Sequence, residues 1–134
     1  MIDRRFVVSV VVMFVLFTAF GFLVHGTLLH DDYARLPNLM RTQEDARGYF
    51  GYMLVADLLM AIGATWIYRQ GRQERPWLGQ GFRFGIALCL LLTIPMYLIY
   101  FAVMPFPSDL VAQQVVFGSI TTVISGIVLA WINR

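Results

Sequence analysis

Asp57 stands inside the apolar run GYMLVADLLMAIGATWIY, residues 51–68, with no basic residue nearer in the chain than Arg47 and Arg69. A carboxylate in such a run has three uses: it hydrogen-bonds neighbouring helices, it relays protons, or it holds a cation. Which of these applies depends on what the rest of the chain brings near it. The other intramembrane groups with chemical capacity are His25, Tyr97, Tyr100, Gln114 and the hydroxyls of Thr18, Thr93, Thr121, Thr122 and Ser125.

His25 and His30, followed by Asp31 and Asp32, raise the question of a metal. Their i,i+5 spacing sets the rings about 140° apart on a continuous helix, whereas zincin-type pairs use i,i+4. Haem ligation by His25 would want a paired histidine in a second span, and the chain has two histidines in all, both in this segment. No metal or other cofactor is expected. No serine sits in a nucleophile elbow, and no glycine-rich phosphate loop is present. The reading is therefore of a protein that is not an enzyme. The single cysteine, Cys89, lies in an apolar run and supports no disulfide within the chain.

The elements that must position these groups are membrane spans. The chain has 134 residues, 59% of them hydrophobic and 13% charged. A soluble domain of that size has too little interior to hide so much apolar surface. Four apolar runs, about 6–29, 48–68, 82–104 and 111–132, each approach or exceed the ~20 residues that cross ~30 Å of hydrocarbon. The first run follows Arg4-Arg5 but is far longer than the ~7–15 residues of a signal-peptide core, so it reads as a retained helix. The expected fold is all-α, a four-transmembrane-helix bundle in one domain, 1–134.

Arginine placement gives the orientation, since the chain's ten basic residues are all arginine. Arg4, Arg5, Arg69, Arg72, Arg75, Arg83 and Arg134 flank one side, while Arg35, Arg41 and Arg47 on the other side are offset by Asp31, Asp32, Glu44 and Asp45. The positive-inside rule then puts both termini in the cytoplasm, in an inner (cytoplasmic) membrane. Trp66, Tyr68, Trp77 and Trp131 are expected at the cytoplasmic interface. Thr42 with Asp45 resembles a capping box, which would start the second helix near Gln43. Gly71 would end it, Ser108 with Asp109 would cap the fourth, and Pro95 would kink the third. No basic cluster of the kind that reads nucleic acid is present.

In an antiparallel bundle His25, Asp57, Tyr100 and Gln114 all fall in the outer half, with Thr121 on the Gln114 stripe. They form a candidate polar pocket drawn from all four helices. Below Asp57, Ala61 and Ala64 would let another helix approach closely. The segments AIGATWIYR (61–69) and GIVLAWINR (126–134) align without gaps. This echo fits either a parallel two-plus-two hairpin repeat or the recurrence of Trp and Arg at any cytoplasmic interface.

The segment GFLVHGTLLHDDYARL, the later IPMYLIYF and the four spans resemble a group of small uncharacterised bacterial four-helix membrane proteins. Gly21, His25, Leu28-Leu29, Tyr33, Pro95 and Tyr100 occupy the matching positions. The resemblance implies a four-helix bundle and carries no activity with it. Two functions remain. One is an accessory or interaction subunit, partnered by other membrane subunits or by a second copy in the lipid bilayer. The other is a small oligomeric transporter or channel for protons or a small solute, using Asp57 and His25.

Overall fold

The computed structural model describes residues 2–134, and its regular elements among these are all helical. Four helices are long and apolar enough to cross a membrane: Arg4–Leu28, Phe50–Gly71, Trp77–Val103 and Ser108–Ile132, called spans one to four below. The chain reads as a multi-pass membrane protein.

Span one is α1 (Arg4–Gly21) continued by a wider π-helical segment, Phe22–Leu28. Asp3 caps it by accepting from the Phe6 N–H at 2.8 Å. A short helix, α2 (His30–Ala34), and another, α3 (Gln43–Arg47), precede α4 (Phe50–Gly71), which is span two. Thr42 does cap at Gln43, accepting from the Asp45 N–H at 3.2 Å. That cap starts α3, however, and the chain breaks at Gly48–Tyr49 before the span begins.

Span three is α5 (Trp77–Leu88), a second π-helical segment (Cys89–Thr93) and α6 (Ile94–Val103). It starts at Trp77, earlier than the apolar run alone suggests, because Pro76 presets the first turn. Pro95 brings no N–H and its ring would crowd the carbonyl of Leu91. The widened turn just before it is where the helix accommodates both. Span four is α7 (Ser108–Ile132); Pro107, not Ser108, stands at its cap position, and no side chain bonds the first turn.

Asp3, Arg5 and Arg134 lie at one end of the bundle, called the near end here. There the Arg5 guanidinium donates to the Arg134 carbonyl oxygen at 3.3 Å, and Arg69 grips Asp3 with two bonds of 2.5 and 2.7 Å. Asn133 and Ser9, both fully or almost fully buried, share a 2.9 Å bond that fastens span four to span one. Around them Met13, Ala61, Tyr68, Leu129 and Ala130 form the apolar core. Tyr68 is therefore a core residue, packed edge-on against Phe84 at 5.2 Å, rather than part of an interfacial belt. Trp66 and Trp131 are exposed.

Spans three and four make the tightest contact. A Cβ added at Gly126 would meet the Gly81 carbonyl oxygen and the Gly85 nitrogen, both at 2.7 Å. One added at Gly85 would meet Val123 Cα at 2.7 Å. Gly81-x-x-x-Gly85 is thus a small-residue face on which span four lies backbone to backbone.

Span two is held differently. Its buried residues are Ala61, Ala64, Thr65 and Tyr68, all in its near half. From Phe50 to Met60 only Leu54 and Asp57 are even partly covered. Leu54, Asp57, Ala61, Ala64 and Tyr68 recur at three- and four-residue spacing, so one stripe faces the bundle, and its far half meets span one. There Phe22 and Phe50 pack with ring centroids 5.7 Å apart.

Candidate functional site

The polar groups of the far end form a cluster around Tyr33. This residue belongs to α2, which folds back over the bundle after Leu29; Leu29 itself is fully buried beside Val24 and Leu110. The Tyr33 hydroxyl lies 2.6 Å from His25 Nδ1. It also accepts from Gln114 Nε2 at 2.9 Å. The other ring nitrogen, His25 Nε2, is 3.2 Å from the Tyr97 hydroxyl. One imidazole therefore joins the far-end loop to span three, and Tyr33 joins both to span four.

Donor counting orients this chain. The Gln114 amide nitrogen can only donate, so Tyr33 accepts there and directs its own hydrogen to His25 Nδ1. A neutral His25 then carries its proton on Nε2 and donates to Tyr97. Burial pushes the Tyr33 phenol above its usual pKa, so the hydroxyl keeps the hydrogen this arrangement needs. Gln114 Oε1 is buried and has no partner among the described residues.

Both π-helical segments border this cluster. His25 sits within Phe22–Leu28, and Thr93 ends Cys89–Thr93, four residues before Tyr97. A widened turn rotates the side chains beyond it relative to an α-helix. Next to it, the Thr93 and Thr122 hydroxyls share a 2.9 Å bond between spans three and four.

Of the five residues the sequence groups into one pocket, the structure brings together His25 and Gln114, through Tyr33. Asp57 is bonded elsewhere, accepting from the Thr18 hydroxyl at 3.0 Å. Tyr100 is 40% exposed on span three, and Tyr97, three residues earlier, meets His25 instead. Thr121 donates to the Gly118 carbonyl of its own helix at 3.0 Å. No hydrogen bond among the described residues connects the Asp57–Thr18 pair to the His25 cluster. His30 and Asp31 are exposed, and Asp32 pairs with Arg35. Among the described residues no group of three or more His, Cys, Asp or Glu converges as a metal-donor set.

Tyr33 is the member that sequence periodicity does not reach, because its place depends on how the loop turns back. The arrangement can align a proton between a phenol and an imidazole and can lock three spans in register. Comparisons with known protein families, with curated proteins and with solved structures return no match, so the functional reading rests on this geometry.

Proposed function

We propose that this chain is a non-enzymatic interaction subunit of a larger membrane assembly, with the far half of span two as the face that receives the partner helix. The observation that carries the reading is Asp57. It is only partly covered, has one hydroxyl donor, and is surrounded along its helix by the exposed Tyr52, Met53, Val55, Leu59 and Met60. A charged carboxylate at the middle of a membrane helix costs about 2.5–3.5 kcal/mol on insertion scales. One hydroxyl leaves most of its hydrogen-bonding capacity open, and a second helix carrying a donor would complete it.

The competing reading is a small oligomeric transporter or channel using Asp57 and His25. It needs a polar path between these two residues. Their separate hydrogen-bond partners favour the interaction subunit. Orientation belongs to the same proposal: seven arginines flank the near end, which supports both termini in the cytoplasm.

The test is native purification in mild detergent, with mass spectrometry of what accompanies the wild type and Asp57→Leu. A membrane partner, or a second copy, should travel with the wild type and be lost from the variant. A wild type that is monomeric and partner-free, yet supports an Asp57-dependent proton flux in proteoliposomes, would overturn the proposal in favour of transport.

A further inference from the structure

The near end holds a cavity of about 520 Å³ where spans two, three and four meet, lined by Tyr68, Arg72, Arg75, Trp77 and Arg134. Its side chains are one-sided in charge, with three guanidiniums against the one side-chain carboxylate of Glu74. Arg72 and Arg75 have no ion-pair partner among the described residues. The Arg134 guanidinium lies over the Trp131 ring at 5.4 Å, which fixes its place at the rim.

The arginine loop is built, not draped. Gln80 Oε1 accepts from the Gln73 N–H at 2.9 Å, and Gln80 Nε2 donates to the carbonyls of Gln73 and Arg75, both at 2.8 Å. One side chain thereby pins residues 73–75 above the cavity. The same loop delivers the start of α5, a 12-residue helix whose first turn has no side-chain cap and no acidic residue. Its first N–H groups are free donors beside the cavity.

Tyr68 supplies an independent sign of a ligand. It is 4% exposed, its ring is held by Phe84, and what remains open of it lines this cavity. Its hydroxyl has no hydrogen-bond partner among the described residues. The phenol oxygen is open to the cavity, so its hydrogen is free for an acceptor that enters there.

Guanidiniums, an uncapped helix start and a phenol donor are together the complement of a phosphate group. We infer that this cavity binds the phosphate of an anionic phospholipid. Trp77 in its lining, at the start of span three, is the kind of ring that marks the headgroup region. Exposed Leu78 and Phe82 continue from it along span three and offer an apolar path for acyl chains. A free phosphate would use the donors and leave that path idle.

The experiment is lipid competition on the purified, delipidated full chain. It is offered equal phosphatidylglycerol and phosphatidylcholine of matched chains, and retained lipid is counted by native mass spectrometry. The wild type should retain phosphatidylglycerol by about tenfold or more, since each basic residue near an anionic surface contributes appreciably. Arg72→Gln with Arg75→Gln should bring the ratio to within about twofold of unity. Tyr68→Phe should lower it severalfold while preserving the core packing of the ring. Arg83→Gln removes one guanidinium from the same end, outside the cavity, and should leave the ratio unchanged. Equal retention of the two lipids by the wild type would overturn the inference, as would an Arg83→Gln loss matching that of the loop variants. Displacement of phosphatidylglycerol by millimolar inorganic phosphate would overturn the lipid as the source of the phosphate.

Discussion

Thr18 donates to Asp57 across spans one and two at 3.0 Å, and among the described residues this is the only side-chain hydrogen bond between the far half of span two and another span. It is a weak tie by membrane standards, where such bonds average about 0.6 kcal/mol. Asp57→Asn keeps an acceptor for Thr18 and adds donors, so the fold should hold within about 1 kcal/mol. Asp57→Leu loses the bond but removes the insertion cost, and the isolated chain should change by no more than about 1–2 kcal/mol. Unfolding in sodium dodecyl sulfate, followed by tryptophan fluorescence, measures both. A collapse of the Asn variant would mean that Asp57 anchors the isolated fold itself.

The contact between spans three and four makes a sharper demand. Gly126→Ala would drive a methyl group into the backbone of Gly81 and Gly85, and backbone cannot rotate aside. The expected loss is about 1–3 kcal/mol. Gly63→Ala is the control: nothing lies within 4 Å of its would-be Cβ, and it should be neutral or stabilising. Equal effects from the two substitutions in the same unfolding assay would contradict the packing described here.

The legible part of the fold follows from one kind of regularity. Run length marks the four spans, and three- and four-residue spacing marks the Asp57–Ala61–Ala64 stripe, because both are properties of an uninterrupted α-helix. Gly81 and Gly85 carry a similar regularity, small residues one turn apart, yet nothing in their spacing says that span four meets them. The polar cluster was readable only in part. His25 and Gln114 could be assigned to the far half by depth, but their common partner Tyr33 arrives from a loop without periodicity. Tyr97 replaces Tyr100 where two widened turns rotate the faces of spans one and three, and of that the sequence shows only Pro95.

Thr65 is fully buried, and its hydroxyl has no hydrogen-bond partner among the described residues. Valine has nearly the same shape and nothing to satisfy. Thr65→Val should therefore raise stability, by about 1 kcal/mol, in contrast to most changes at fully buried positions. A midpoint that falls in the unfolding assay would show that the hydroxyl does have a partner, such as a carbonyl of its own helix.

The near-end clamp gives a pH dependence. The two bonds from Arg69, then the Phe6 N–H, hold the Asp3 carboxyl well below the ordinary value of 3.8. A depressed carboxylate stabilises the folded state fully above its unfolded pKa, and that contribution is lost as the pH falls through the folded value. The stability difference between wild type and Asp3→Asn should thus be constant above about pH 5 and shrink only under strongly acid conditions, below 3.8. Since Asp3 is exposed, salt should reduce it as well. A difference that vanishes between pH 7 and pH 5 would assign the dependence to another group.

Tyr33 is the residue on which the far-end cluster turns. Its hydroxyl serves His25 and Gln114 at once, at 2.6 and 2.9 Å. Tyr33→Phe removes one oxygen and strands two groups: His25 Nδ1 loses its donor, and Gln114, already without a partner for Oε1, loses its remaining bond. The expected cost is about 1–3 kcal/mol, set more by the stranded amide than by the missing bond. If that is the cause, removing the amide should repair it. Gln114→Leu alone should destabilise, and in the Tyr33→Phe background it should cost less or even restore stability, a coupling of at least about 0.5 kcal/mol in a double-mutant cycle. The same cycle with Tyr97→Phe tests the other end of the chain. Tyr97 accepts from His25 Nε2, so its loss should couple to His25→Phe and only weakly to Gln114→Leu. Additive effects for Tyr33 and Gln114 would mean that the cluster does not act as one unit.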